Sequence, residues 1–323
     1  MRSRLIEVYE QERPGAQDCS IVVPVYNGAR FLRESLGAVL AQSGVTCDII
    51  ISDDGSDDGS LETILDIVRP YAGPHSVRVF RTDVPAIVEN VPLLVAASRC
   101  TAIVQAHQDD VSDPERALVL SQRLAGKARL ATSVARIRKD GRTSEPSRGA
   151  LASLRKSSSF GALLRTGGGV IAGARYGMHR DLFRLFPPLD AEHLSHGHDV
   201  LLYMRAKMLG ACKIVYRPLI TIGDHPDRGS HRMFDRQDPA TRRFDFSLRR
   251  MVVLTVALKD LAHVEATGDV PPERAARIRR RLTAARLHFV DELASQRELA
   301  IQRGFRLTWT KAAEGGIGRP LPL

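Results

Sequence analysis

The chain has 323 residues, 43% apolar and 26% charged, which suits one large folded domain with or without an appendage and excludes a disordered chain. Its net charge is +10, but only seven of the 47 basic residues are lysine, arginine is spread along the chain, and aromatics are 5%. Basic and aromatic residues do not interleave as they do in single-strand binders, so no nucleic-acid partner is expected.

No run reaches the roughly 20 apolar residues of a membrane span, and residues 1–18 lack the apolar core of a secretory leader. A cytoplasmic location is expected. Cys19, Cys47, Cys100 and Cys212 show no C-x-x-C spacing and read as buried apolar residues, not as a zinc site or a disulfide framework.

In chain order, residues 20–25 read as a buried β-branched strand stopped by Pro24 and Asn27-Gly28. Residues 29–42 carry Phe31, Leu32, Leu36, Val39 and Leu40 at helical spacing. A second strand, 48–52, runs into a turn-rich acidic stretch ending at Ser60, which is placed to cap a helix over 61–68. A third strand over 77–81, a helix over 87–98, a fourth strand over 101–106 and a helix opened by Pro114 over 114–124 follow. Such alternation predicts parallel strands with right-handed crossovers and a ligand beyond the strands' carboxyl ends.

Residues 136–159, rich in Arg, Lys, Ser and Gly, read as a mobile loop followed by a short helix. Gly167-Gly168-Gly169 comes next, then a helix over 200–209, a strand over 213–216 and a polar loop over 223–231. Long helical stretches over 244–262 and 271–299 then suggest an αα-hairpin, and residues 310–323 read as a flexible tail.

Three polar clusters fall at strand ends: Tyr26-Asn27 after SIVVPV, Asp53-Asp54 within IIISDDGSDDGS, and His107 to Asp110 within AHQDDVSDP. Carboxylates repel phosphate, so an acidic mouth is chemically useful when one carboxylate accepts hydrogen bonds from a base or ribose and another holds a cation that neutralises a diphosphate. Neither G-x-x-x-x-G-K-[ST] nor G-x-G-x-x-G occurs.

In this order and spacing the segments resemble the family 2 glycosyltransferases, inverting enzymes of the GT-A fold, and the resemblance runs from about Cys19 to Ser230. It implies an α/β fold with a mostly parallel sheet flanked by helices, here with a C-terminal α-helical appendage. It further implies that Pro24, Tyr26, Asp53 and Asp54 face the nucleotide, Asp54 foremost toward the base, and that Asn90 matches a family asparagine. Asn27, His107, Gln108 and His198 are taken with them as nucleotide-sugar contacts.

The family's metal signature is Asp-x-Asp; here His107 stands at its first position and Asp109 at its second. Asp109 is the expected ligand for Mn2+ or Mg2+. His225 matches a histidine that in some members reaches the metal or diphosphate. His196-Gly197-His198-Asp199 followed by VLLYMRAKMLG looks like the rhamnosyltransferase-like branch and makes Asp199 the expected general base, although IGDHPDRGS lacks that branch's Arg and Asn around the histidine. Asp199 is also placed to cap the helix behind it.

The resemblance implies a UDP-sugar donor first and a dTDP-sugar second, with a hexosyl or deoxyhexosyl group passed to a hydroxyl of a glycan, a lipid-linked acceptor or a natural product. The expected layout is an N-terminal lead (1–18), a GT-A domain (19–235; donor half 19–115, acceptor half 116–235), a helical appendage (236–304) and a tail (305–323). The arginines of the last helix suit a solvated face, a homo-oligomer contact or peripheral attachment to anionic lipid. A sugar-nucleotide pyrophosphorylase and a non-catalytic nucleotide-sugar-binding protein stand as the alternatives.

Overall fold

The computed structural model describes residues 3–83, 90–149, 151–152, 164, 175–189, 198–210, 212–225 and 238–296. In chain order these hold β1 (Leu5–Gln11), β2 (Cys19–Val25), α1 (Ala29–Leu40), β3 (Cys47–Asp53), α2 (Ser60–Val68), β4 (Ser76–Thr82), α3 (Asn90–Ala97), β5 (Ala102–Gln105), β6 (Asp110–Ser112) and α4 (Arg116–Leu124). They continue with β7 (Leu130–Lys139), β8 (Arg142–Ser144), β9 (Tyr176–His179), α5 (Asp181–Arg184), α6 (His198–Leu209), β10 (Cys212–Asp224), α7 (Pro239–Ala266) and α8 (Pro272–Ser295). The described strands form one sheet in the order β1-β4-β3-β2-β5-β9-β7-β10-β6, with β8 on β7.

The run β4-β3-β2-β5 is parallel throughout, as the strand–helix alternation predicts. Every residue of β3 is buried, and its Ile49-Ile50-Ile51 run is what a strand covered on both faces requires. Beyond β5 the sheet turns mixed: β9 is antiparallel to both β5 and β7, β10 is parallel to β7, and β6 closes the far edge antiparallel to β10.

Several elements differ from the sequence expectation. The N-terminal lead contains β1, an edge strand antiparallel to β4. Where a loop is expected from residue 136, β7 runs on to Lys139 and turns into β8 through Asp140 and Gly141, both at positive φ (49° and 74°). Asp-Gly is the pair that tight hairpins select. Strand β10 covers 13 residues, because register shifts on either side of Pro218 let it continue past the proline.

Ser60 is the first helical residue of α2 and not its cap, which is Gly59 in the left-handed region (φ 82°). Helix α4 begins at Arg116, with Glu115 as its cap. Gly167-Gly168-Gly169, residues 226–231 and the tail lie outside the described residues.

The C-terminal helices share the core of the sheet. Val22, Ile50 and Met178 lie in one apolar cluster with Leu201 and Met204 of α6, Leu254 and Leu261 of α7, and Leu282 and Phe289 of α8. Arg243 near the start of α7 pairs with Glu292 near the end of α8, and Glu265 pairs with Arg279, so the two helices run antiparallel. Asp238 caps α7, its Oδ1 accepting from the backbone N–H of Ala240 and Thr241 at 3.0 Å.

A buried ion pair fastens α7 to α6. Arg205 Nε and Nη2 donate to the two oxygens of Asp260 at 2.7 and 3.1 Å, and its remaining N–H groups reach the carbonyls of Leu182 and Pro187. Burial pushes the Asp260 carboxyl up in pKa, against the pull of Arg205. Such a pair adds little net attraction, yet removing one partner strands the other charge. Asp260→Ala is therefore expected to destabilise the fold by about 3–5 kcal/mol, while Arg205→Met/Asp260→Leu loses less; urea unfolding midpoints check this.

His75, fully buried, accepts the Cys47 N–H on Nδ1 at 3.3 Å and contacts the Gln42 carbonyl through Nε2 at 3.0 Å. These partners fix a neutral ring protonated on Nε2. Burial holds its pKa below the ordinary 6.5. The unfolded chain then takes up a proton that the native ring resists, so this contribution is full above pH 6.5 and declines as pH falls toward the folded value. The thermal midpoint is expected to drop between about pH 7.5 and about 5.5, and the drop to shrink in His75→Gln.

Candidate functional site

Strand β2 lies between β3 and β5, its crossover through α1 leading one way while β5 enters from the other side. The loops leaving β2 and β5 therefore diverge from adjacent strand ends, where open α/β sheets form ligand crevices. Because β9 is antiparallel to β5, Tyr176 at its start lies on the same edge.

On the β2–β3 side, Tyr26 is 44% exposed, more than a packed strand end would leave it, and Pro24 is half-buried in β2. Asp53 and Asp54 follow on the end of β3, both almost fully buried. Asp53 Oδ2 accepts the Ser56 N–H at 3.1 Å, while its buried Oδ1 has no hydrogen-bond partner among the described residues. Asp54 Oδ1 accepts the Thr82 hydroxyl at 2.8 Å.

The acidic turn is stitched to the start of α1. Asn27, at φ 49°, accepts the Asp57 N–H at 3.0 Å and donates its own N–H to Ser56 Oγ at 2.9 Å. Gly28 N–H donates to Ser60 Oγ, and Ala29 N–H to Asp58 Oδ2. The aspartates and serines of this turn therefore hold its shape, whereas Asp53 Oδ1 is left over. Asn90 opens α3 buried, and its Oδ1 likewise has no hydrogen-bond partner among the described residues.

On the β5–β10 side, His107, Asp109 and Asp110 bring one ligand atom each to within 4.8 Å of one another. His225, just past the end of β10, places Nε2 3.0 Å from Asp109 Oδ2. Its ring lies against Phe31 of α1, centroids 4.5 Å apart. Asp110 accepts the Gly223 N–H at 3.1 Å, which ties β6 to β10.

Below them Arg116, 1% exposed, donates to the Gln105 carbonyl at 2.7 Å. Burial pulls its guanidinium down to about 10 against the opposing pull of Asp110. His107, Asp109 and Asp110 offer mixed O and N donors, with the His225 imidazole against Asp109. These residues fit a divalent cation, with His107 costing one negative charge relative to a second aspartate.

A third cluster involves α6. Tyr176, fully buried, donates its hydroxyl to Asp199 Oδ1 at 2.8 Å. Burial, with the charge of Asp199 adding to it, pushes the Tyr176 phenol well above its ordinary pKa, so it stays a donor. Asp199 is only half-buried and lies in the first turn of α6, not at its cap. His198 begins that helix; its side chain, with His193 and His196, lies outside the described residues.

The structure thus places Asp53 beside Asp54, brings Asp109 together with His107 and His225, and gives Asp199 a fixed partner. Gln108 turns away from the cation cluster, its amide engaged with the Tyr26 backbone. Tyr176, Thr82, Phe31 and Asp110 are site neighbours that the sequence reading did not select. Asp110 stood within a motif already noted; Tyr176 sits on a four-residue strand with no local signal.

The fold is of the GT-A type. The sequence matches the family model for glycosyl transferase family 2 over residues 20–185, just over half of the chain, and the chain belongs to that family. Staphylococcus aureus TarS, residues 1–349, superposes with a TM-score of 0.54 in its UDP-GlcNAc complex, at 14% identity over 89% of this chain and 93% of TarS. Its UDP complex gives 0.51 at 15% identity over 89% and 92%.

An uncharacterised glycosyltransferase of Rickettsia typhi is 49% identical over 45 residues, 14% of this chain and 14% of that protein. One of Rickettsia felis is 44% identical over 46 residues, 14% and 8%. The shared stretch is a small part of both relatives. No described helix is long and apolar enough to cross a membrane.

Proposed function

We propose that this protein is an inverting, metal-assisted glycosyltransferase that binds a nucleoside-diphosphate sugar along the ends of β2, β3 and β5 and passes its sugar to an acceptor hydroxyl. The observation that carries the reading is the contact of Asp109 with His225, 116 residues apart in sequence, at the sheet edge where β3 also ends in the buried Asp53–Asp54 pair. Acidic groups of this kind are useless to a bare diphosphate and useful to one that arrives with a cation.

In this reading Tyr26 offers a face to the base, Asp53 and Asp54 accept from base and ribose, and Asn90 presents an amide oxygen to the donor. Asn27 shapes the turn that carries them. Asp109, His225 and His107 would hold the divalent cation, Mn2+ before Mg2+, which when bound would neutralise charge gathering on the leaving diphosphate. Asp199, held by Tyr176, takes the proton of the acceptor hydroxyl; the oxygen bonds to the anomeric carbon from the face opposite the diphosphate, which leaves with the bonding electrons. UDP and then dTDP are the proposed nucleotides; a glycan, a lipid-linked sugar or a natural product is the proposed acceptor class. Residues 19–115 form the donor half and 116–235 the acceptor half.

Calorimetric titration with UDP-, dTDP- and GDP-sugars, with and without Mn2+, tests the donor site. Metal-dependent binding of one nucleotide supports the reading. A chain that binds none of them under any metal would sink it.

A further inference from the structure

The side chain of Gln108 spans the gap between the two diverging loops. Its Oε1 accepts the Tyr26 N–H at 2.7 Å, and its Nε2 donates to the Tyr26 carbonyl at 2.9 Å. One amide thus pairs with one backbone residue as a neighbouring strand would, continuing the β2–β5 pairing past the point where the backbones separate. Both of its polar atoms are engaged in this contact. A residue that stands between His107 and Asp109 therefore reaches back to the loop that carries Tyr26 and Asn27.

Gly28 supplies an independent observation. Its backbone angles, φ −117° and ψ 6°, lie at negative φ in the bridge region that L-residues also occupy, so the turn itself does not demand glycine. A Cβ built there would lie 2.6 Å from Gln108 Cδ, 2.7 Å from Oε1 and 2.9 Å from Nε2. The space that glycine leaves empty is the space the Gln108 amide occupies. The amide end of a free glutamine could swing away from such a methyl group; held by two hydrogen bonds, it cannot do so and keep them.

Resting on the donor-site reading above, we infer that Gln108 is a positioning residue: it locks the nucleotide-facing loop after β2 to the cation-facing loop after β5, and Gly28 is present to admit it. The lock fixes the spacing between base pocket and cation cluster before the donor arrives, which removes an ordering cost from binding.

Wild type, Gly28→Ala, Gln108→Ala and the double variant form a cycle read by two measurements. The first is UDP affinity with Mn2+ present. Each single variant is expected to weaken it roughly tenfold, and the double variant to match Gln108→Ala alone, since alanine at position 28 obstructs nothing once the amide is gone. The second is exchange of the Tyr26 amide proton by NMR, slow in wild type and fast in all three variants. Additive losses in the double variant, with Tyr26 exchange unchanged in Gln108→Ala, would overturn the lock and make Gln108 a direct nucleotide contact. A wild type that binds no UDP-, dTDP- or GDP-sugar under any metal would end the donor reading instead; the lock would then stand or fall on Tyr26 exchange in Gly28→Ala and Gln108→Ala.

Discussion

Asp109→Ala is expected to lower turnover about a thousandfold, equivalent to about 4 kcal/mol of transition-state stabilisation, and to abolish the Mn2+-dependent part of donor binding. The carboxylate sits 3.0 Å from His225 Nε2, beside His107 and Asp110. Of these four, Asp109 is the charged member least committed elsewhere: Asp110 accepts the Gly223 N–H and faces the buried Arg116. The alternatives rank below it on the same ground. His225→Ala removes a neutral donor and His107→Ala a second one, so each is expected to weaken Mn2+ binding without eliminating it. Manganese titration, followed by turnover at saturating metal, separates the cases: excess Mn2+ restores the histidine variants and does not restore Asp109→Ala.

His107→Asp provides the reverse experiment. It rebuilds the Asp-x-Asp pattern and is expected to tighten Mn2+ binding and raise activity with Mg2+, because the harder ion gains a carboxylate in place of an imidazole. Equal behaviour with both metals before and after the change would show that position 107 does not meet the cation.

Asp199→Asn is the second large effect. It is expected to reduce kcat by about 10²–10⁴-fold with donor affinity unchanged, since general-base catalysis contributes in that range. Asparagine keeps an oxygen for the Tyr176 hydroxyl at the Oδ1 position, so the helix start and the buried phenol keep their partner. The loss then reports proton acceptance and not folding. Measuring donor-only binding beside transfer to an acceptor divides the steps: an Asp199→Asn protein that binds donor poorly has been disturbed structurally, and one that transfers normally shows that another group takes the proton.

The family membership and the acidic strand ends were legible locally because their signals are local. Strands β2 and β3 are apolar runs closed by turn residues, and the acidic clusters lie within a few residues of the strand ends that present them. The Asp140-Gly141 pair was an equally local hairpin signal, overlooked because the arginine- and serine-rich stretch after it reads as a loop. Strand β1 was missed for a different reason. An edge strand carries charge on its open side, and Glu7 and Glu10 interrupt the apolar pattern that a central strand would show.

By itself, then, the sequence determined a parallel strand–helix unit with carboxylates at its mouth, since short-range periodicity and turn chemistry are written in consecutive residues. Only the tertiary structure decided which of those groups meet. Tyr176 reaches Asp199 because β9 is inserted antiparallel beside β5, His225 reaches Asp109 because β10 runs past its proline to pair with β6, and the C-terminal helices belong to the core through Arg205 and Asp260. Each of these contacts joins segments distant in the chain, and no local pattern encodes a partner that only the packing of the sheet brings near.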